Sequence, residues 1–252
     1  MKKLANYLKV DLWQLVKGPS WIIGMIGVAV SLFFSLEIQG FFNHNIVSTY
    51  VYATRMTGSL IAYTFCAFPY AVRISEELEN KYARYSVIRG NLKAYVISKA
   101  VMIWLSSAVV MIGGTLLFLL LCHSRLPWMD WEMGSDYAAL LGGCYGEFLR
   151  SGKPLCYCLL YAMDMGLLAG PLSLFAAFCS IYISNRVLVL VMPVIGFRLL
   201  ASVNLRGYNV YIFYALKVLG EDWQNLLLLI FLSAVVSVLL TAGIYRGMKR
   251  KL

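Results

Sequence analysis

Glu76, Glu77 and Glu79 stand close to Lys81, Arg84 and Arg89 in the stretch RISEELENKYARYSVIRGNLKAYVISK, which runs from Arg73 to Lys99 between two long apolar runs. Glu77 and Lys81 have the favourable i, i+4 spacing of a helical ion pair. The chemistry of such a cluster is electrostatic contact, with water or with a partner. Two further charges sit inside apolar runs: Asp164 in YAMDMGLLAG and Arg198 in VIGFRLLASV. Charge in apolar surroundings is expensive and calls for a partner or a water-lined site. Cys144, Cys156 and Cys158 form a third group. An oxidising exterior would permit a disulfide from Cys144 to Cys156 or Cys158, with free thiols as the alternative. A lone C-x-C is weak for a metal.

Catalytic patterns are missing from the sequence. A phosphate-binding loop needs G-x-x-x-x-G-K-[ST]. The nearest approach, GEFLRSGKP from Gly146 to Pro154, is one residue too long and puts proline where Ser or Thr belongs. His44 and His123 are the two histidines, and no H-E-x-x-H or G-x-S-x-G occurs. Asp164 is the one carboxylate deep in an apolar run, so no carboxylate dyad can share a proton there. The expectation is a chain with no catalytic residue, no metal site and no cofactor of its own.

The elements that position these residues are membrane helices. The chain has 252 residues, of which 61% are hydrophobic and 13% charged. A soluble domain is roughly 45–50% apolar and about 25% charged. Six apolar runs approach the ~20 residues needed to cross a bilayer: 20–36, 56–74, 94–122, 155–183, 187–203 and 225–245. Each must be helical, because lipid offers the backbone no hydrogen-bond partner. The sequence therefore predicts an all-α membrane protein forming a single domain over 1–252. Charge interrupts the first 19 residues too often for a cleavable signal, so the N-terminus is expected to be retained.

Orientation follows from Lys and Arg. With the N-terminus in the cytoplasm, Lys2, Lys3, Lys9, Lys17, the basic residues of 73–99, Arg186, Arg246, Lys249, Arg250 and Lys251 all fall inside. Glu37, Asp130, Glu132, Asp136, Glu147, Glu221 and Asp222 fall outside. Both termini are then cytoplasmic. The net charge of +10 thus reads as topology rather than as a nucleic-acid footprint. Leu4, Leu8, Leu12 and Leu15 recur at helical spacing, which predicts an amphipathic helix over 3–17 lying on the inner surface. The outer segment 204–224 is too apolar for a free loop and predicts a short interfacial or re-entrant helix.

Within the charged stretch, Leu78, Tyr82 and Tyr85 form an apolar stripe, and Glu77, Lys81 and Arg84 a charged one. Acids after Ser75 suit a helix start, and Gly90-Asn91 suits its end. The prediction is a cytoplasmic surface helix over about 75–90. This arrangement resembles the permease subunits of type-2 ATP-binding-cassette (ABC) exporters. The residues that carry the resemblance are Glu76, Glu77 and Glu79, then Asn80-Lys81, Arg84, the turn Arg89-Gly90-Asn91, and Ser98-Lys99 entering the third span. Asn80-Lys81 stands where the family often has Gly-Thr, and the turn lacks proline. The resemblance implies an elbow helix at 3–17 and a coupling helix at 75–90 that docks a separate ATPase through Glu76, Glu77, Glu79, Lys81, Arg84 and Arg89. ATP and Mg²⁺ would bind that ATPase. A second permease, identical or paralogous, would complete the unit in the bacterial plasma membrane. The competing expectations are a non-ABC carrier or channel, and a scaffold or immunity protein without transport.

The last expectation concerns depth. Asp164 lies nine residues from Leu155, or ~13 Å along a helix, and Arg198 eleven from Val187, or ~16 Å. Consecutive antiparallel spans would bring them to similar depths, which predicts a pair; the alternative is Arg198 reaching for the outer headgroups.

Overall fold

The apolar runs fold as helices whose ends fall at caps and breakers. The computed structural model describes residues 2–39, 45–55, 58–71, 73–80, 82, 85, 91–129, 140–183, 185–202, 204–205, 208–209 and 221–251. Helix α1 (Lys2–Lys17) stops at Gly18-Pro19, and α2 (Ser20–Gln39) restarts at a 61° bend. Helices α3 (Ile46–Arg55) and α4 (Gly58–Ala67) follow, then α5 (Arg73–Glu79). Asn91 caps α6 (Leu92–His123), accepting from the Lys93 N–H at 3.0 Å. A short helix α7 (Gly146–Arg150) precedes α8 (Pro154–Ser180), whose first residue is a proline suited to that position. Asn185 accepts from Val187 N–H at 3.0 Å and starts α9 (Arg186–Ser202). The chain ends in α10 (Asp222–Lys251).

The described residues are helical apart from loops, turns and one antiparallel ladder that pairs Asn204 with Asn209 and Leu205 with Tyr208. That ladder lies in the segment 204–224, for which the sequence predicts a short helix; residues 206–207 and 210–220 of that segment lie outside the described residues. Among the described residues, α6, α8 and α10 are long and apolar enough to cross a membrane. The bent pair α1–α2 makes a fourth if counted as one.

The second predicted run, 56–74, is displaced. Helix runs from Gly58 to Ala67 and gives way to a turn, with Tyr70 and Ala71 N–H groups bonded to the Ala67 carbonyl. Pro69 has no N–H to give and cannot continue a helix. The unanticipated α3 precedes it. Asn45 caps α3 through the Ser48 N–H at 2.8 Å, and Ile46 N–H reaches Pro127 O at 3.0 Å.

Helix α8 sits at the centre, packed on α6, α9, α10 and α4. The core has two parts. Tyr50, Tyr63, Phe118 and Tyr161 anchor one, and Tyr70, Tyr95, Ile103 and Leu174 the other. Glycine permits the closest approach, as between α2 and α6: a Cβ at Gly114 would stand 2.5 Å from Val28 Cβ. Where lipid surrounds helices, such small residues let packing replace the hydrophobic drive. Large apolar side chains remain exposed along α2, α9 and α10, among them Val30, Val187, Phe231 and Val238.

Candidate functional site

Three helices converge on Lys99. Capping at Asn91 sets the register of α6, so that Tyr95, Ser98 and Lys99 share one face by their i, i+3, i+4 spacing, and all three are buried. Asp11 comes from the middle of α1 and Glu77 from the middle of α5. Lys99 Nζ donates to Asp11 Oδ1 at 2.8 Å and to Glu77 Oε1 at 2.6 Å. Ser98 Oγ donates to Asp11 Oδ2 at 2.7 Å, and the Tyr95 hydroxyl donates to Glu77 Oε2. Arg73 Nε approaches Glu77 Oε1 at 3.8 Å. The rings of Tyr70 and Tyr95 stand 5.3 and 5.4 Å from the ammonium.

Two carboxylates, one ammonium and one guanidinium balance in charge. Each carboxylate also accepts from a hydroxyl, which meets the condition for burying ions. The arrangement fastens α1, α5 and the foot of α6 to one another.

Around this joint the contacts are wetter. Arg186, at the start of α9, reaches Glu76 Oε1 at 2.8 Å and Glu79 Oε2 at 3.8 Å. These side chains are about half exposed, so each pair contributes little. All three predicted docking glutamates are thus engaged within the chain.

The faces of α5 differ from the predicted ones. Ile74 and Glu77 are buried and Leu78 partly so, while Tyr82 and Tyr85 are exposed. Glu77 therefore lies on the inward face, and the tyrosines do not form an inward stripe. The buried Lys99 supplies the reason, since it attracts the acid inward. Lys81, Arg84 and Arg89 lie outside the described residues. Helix α1 is turned likewise: Asp11 and Leu15 face inward, with Tyr7 and Leu8 partly buried beside them, and Leu12 is exposed with Trp13 and Val16.

Asp164 and Arg198 are not brought together. Asp164 is buried and accepts from the Tyr145 hydroxyl at 2.9 Å. Its Oδ1 has no hydrogen-bond partner among the described residues. Burial and the Asp164 carboxylate raise the Tyr145 phenol above its ordinary pKa, so it remains a neutral donor. Arg198 is exposed beside Leu199. Matched depth was insufficient because rotation about each helix axis decides which side chains meet. Cys144, Cys156 and Cys158 are not joined in a disulfide, nor are the other three cysteines. Cys144 and Cys158 are buried, Cys156 is exposed, and Cys144 Sγ accepts from Asn225 Nδ2 at 3.3 Å.

Sequence reasoning placed Lys99 at a span entry and missed its partners. The signal was present: Asp11 is the one acid in a basic amphipathic helix, and Lys99 is followed by an unbroken apolar run. The fold and site define an all-helical protein with three or four membrane-length helices and a buried ionic joint at one end. No protein-family model, curated protein or solved structure matches this chain.

Proposed function

We propose that this chain is the membrane subunit of an ATP-driven exporter, of the type-2 ABC architecture its cytoplasmic segment resembles. It acts as a dimer, with an identical or paralogous permease, above a separate ATPase. The observation that carries this reading is the Lys99 joint. A force applied to α5 from below is transmitted to the foot of α6 and to α1 as one body, because separating them would uncover charge. That is what a coupling element must do to convert nucleotide-driven closure into a rearrangement of spans.

Six crossings follow, with both termini in the cytoplasm: α2, α3 with α4, α6, α8, α9 and α10. The second is the least obvious. Helix α3 begins against Pro127, past one end of α6, and α4 ends at Ala67 in the core part that holds Tyr70 and Tyr95. The 10 residues of α3 and the 10 of α4 amount to about 30 Å at the helical rise, against a hydrocarbon core of about 30 Å. Glu77 becomes an anchor in this reading. Docking falls to the exposed Glu79, Tyr82 and Tyr85, with Lys81, Arg84 and Arg89, while Glu76 borders both roles. ATP and Mg²⁺ belong to the partner.

Co-purification of the chain with a separate ABC ATPase subunit tests the proposal. The expected result is a complex whose ATP hydrolysis responds to the permease. Tyr82→Asp combined with Tyr85→Asp should weaken that response about tenfold, the loss of roughly 1.4 kcal/mol of contact, with thermal stability unchanged. Transport by the purified chain on an ion gradient alone would overturn the proposal.

A further inference from the structure

Helices α6 and α10 do not close against one another along one part of their length. Between them, floored by Leu167 and Leu174 of α8, lies a cavity of about 810 Å³. The facing positions are small, with Ala100 on one side and Ala234, Ser237 and Ala242 on the other. Two lining hydroxyls are turned into the backbone: Ser233 Oγ donates to Leu167 O at 2.8 Å and Thr241 Oγ1 to Ser237 O at 2.7 Å. A third, Ser237 Oγ, is buried with no hydrogen-bond partner among the described residues. The rest of the lining between the two ends is apolar side chain. Trp104 bounds one end, its Nε1–H 3.4 Å from Ser233 Oγ. Lys93 and Tyr245 bound the other. Lys93 is the one charged residue among those lining the cavity, and it is exposed.

Length and charge decide the kind of occupant. Lys93 to Trp104 is about 17 Å of helix, close to the roughly 15 Å depth of one leaflet. An extended acyl chain of one leaflet therefore matches the slot from end to end. A cation at the mouth of an apolar slot selects a negative headgroup.

We propose that this groove holds an acyl chain of an anionic phospholipid, with its phosphate at the Lys93 ammonium. The site requires the membrane setting argued above but neither the ATPase nor a dimer. Its test therefore stands apart from theirs.

The full-length protein in detergent, titrated with phosphatidylglycerol or phosphatidylcholine of identical chains and read by native mass spectrometry, provides that test. One phosphatidylglycerol per chain should be retained about fivefold more tightly than phosphatidylcholine, the preference one basic residue near a lipid surface gives. Lys93→Gln should equalise the two lipids. Ala234→Phe should displace both by filling the slot, whereas Val235→Phe, on the exposed face of the same turn, should displace neither. Ala242→Leu repeats the filling test at the Lys93 end should Ala234→Phe fail to fold. Equal retention of the two lipids by the unmodified protein would overturn the proposal, as would folded filling variants that bind phosphatidylglycerol unchanged.

Discussion

Lys99 and Asp11 are 88 positions apart in the chain and 2.8 Å apart in space. Glu77 closes the same contact from a third helix at 2.6 Å. Because the ammonium and both carboxylates are buried, no water can replace a lost partner. The joint therefore behaves as a fixed corner of the molecule and not as a hinge. Motion imposed on α5 has to be taken up elsewhere, through the wetter contacts of Arg186 or the far ends of the spans.

Replacement of Lys99 tests that corner directly. Lys99→Met leaves two buried carboxylates facing each other and should cost about 3–5 kcal/mol, the range for breaking a buried ion pair from one side. Asp11→Asn and Glu77→Gln remove the stranded charges, so the triple variant should regain most of the loss. Unfolding of the purified protein in denaturing detergent measures both. A single Lys99→Met variant as stable as the parent would remove the joint from the structural argument.

Arg186 should behave differently. Its pairs with Glu76 and Glu79 are about half exposed, so Arg186→Ala should cost no more than about 1 kcal/mol, and less at high salt. Under the proposed coupling role it should change the ATPase response more than stability. A stability loss as large as that of Lys99→Met would contradict the exposure of this contact.

The helices were legible in the sequence because apolar runs announce themselves, and the ends of α2, α6 and α9 fall within a few residues of prediction. The second run was displaced because Arg55 interrupts it, so a boundary drawn on charge falls at Met56 while helix resumes on either side. The charged face of α5 was misassigned for another reason. Periodicity separates acids from apolar residues, but it does not say which stripe faces inward when a lysine is buried on the neighbouring helix. Glu77 and Asp11 follow Lys99, a relationship across 22 and 88 positions that no local pattern carries. The Asp164–Arg198 expectation used depth alone and lacked the helix rotations.

Tyr145 and Asp164 should behave as a pair in place of Asp164 and Arg198. Tyr145→Phe removes the hydroxyl that Asp164 accepts from and should cost about 1–3 kcal/mol, the penalty for a buried acceptor left unmade. Arg198→Ala should be near neutral. Exchanging Asp164 and Arg198 should be no better than either single reversal. The pH dependence has a definite sign. The folded-state phenol lies above its ordinary value, which is about 10 in the unfolded chain. Its contribution is therefore complete below pH 10 and declines as pH rises beyond it, where the unfolded chain binds fewer protons. The decline should be shallower in Tyr145→Phe than in the parent protein, and identical profiles would argue against the contact.

Cys156 should be the outer thiol that reacts. It is exposed, whereas Cys144 and Cys158 are buried. A membrane-impermeant maleimide should label intact cells at Cys156, and Cys156→Ser should abolish most of that labelling. Denaturation should then expose the remaining thiols, with no change in electrophoretic mobility on reduction. Labelling that requires permeabilised cells would reverse the proposed orientation, and a reductant-dependent mobility shift would restore the disulfide.

Gly114 tests the contact between α2 and α6. A Cβ there would lie 2.5 Å from Val28 Cβ and 2.8 Å from the Met25 carbonyl oxygen. Gly114→Ala must therefore push the two helices apart, although alanine is the better helix former by about 1 kcal/mol. Overpacking of this kind costs about 1–3 kcal/mol, which exceeds or cancels the propensity gain. Val28→Ala removes the Cγ1 contact at 2.7 Å but leaves the Cβ contact at 2.5 Å, so Val28→Gly would be required. Even that leaves the Met25 carbonyl in place, so rescue should be partial. Full rescue in the Gly114→Ala, Val28→Gly double variant, measured by the same denaturing-detergent unfolding, would show that side chain and not backbone sets the spacing of α2 and α6.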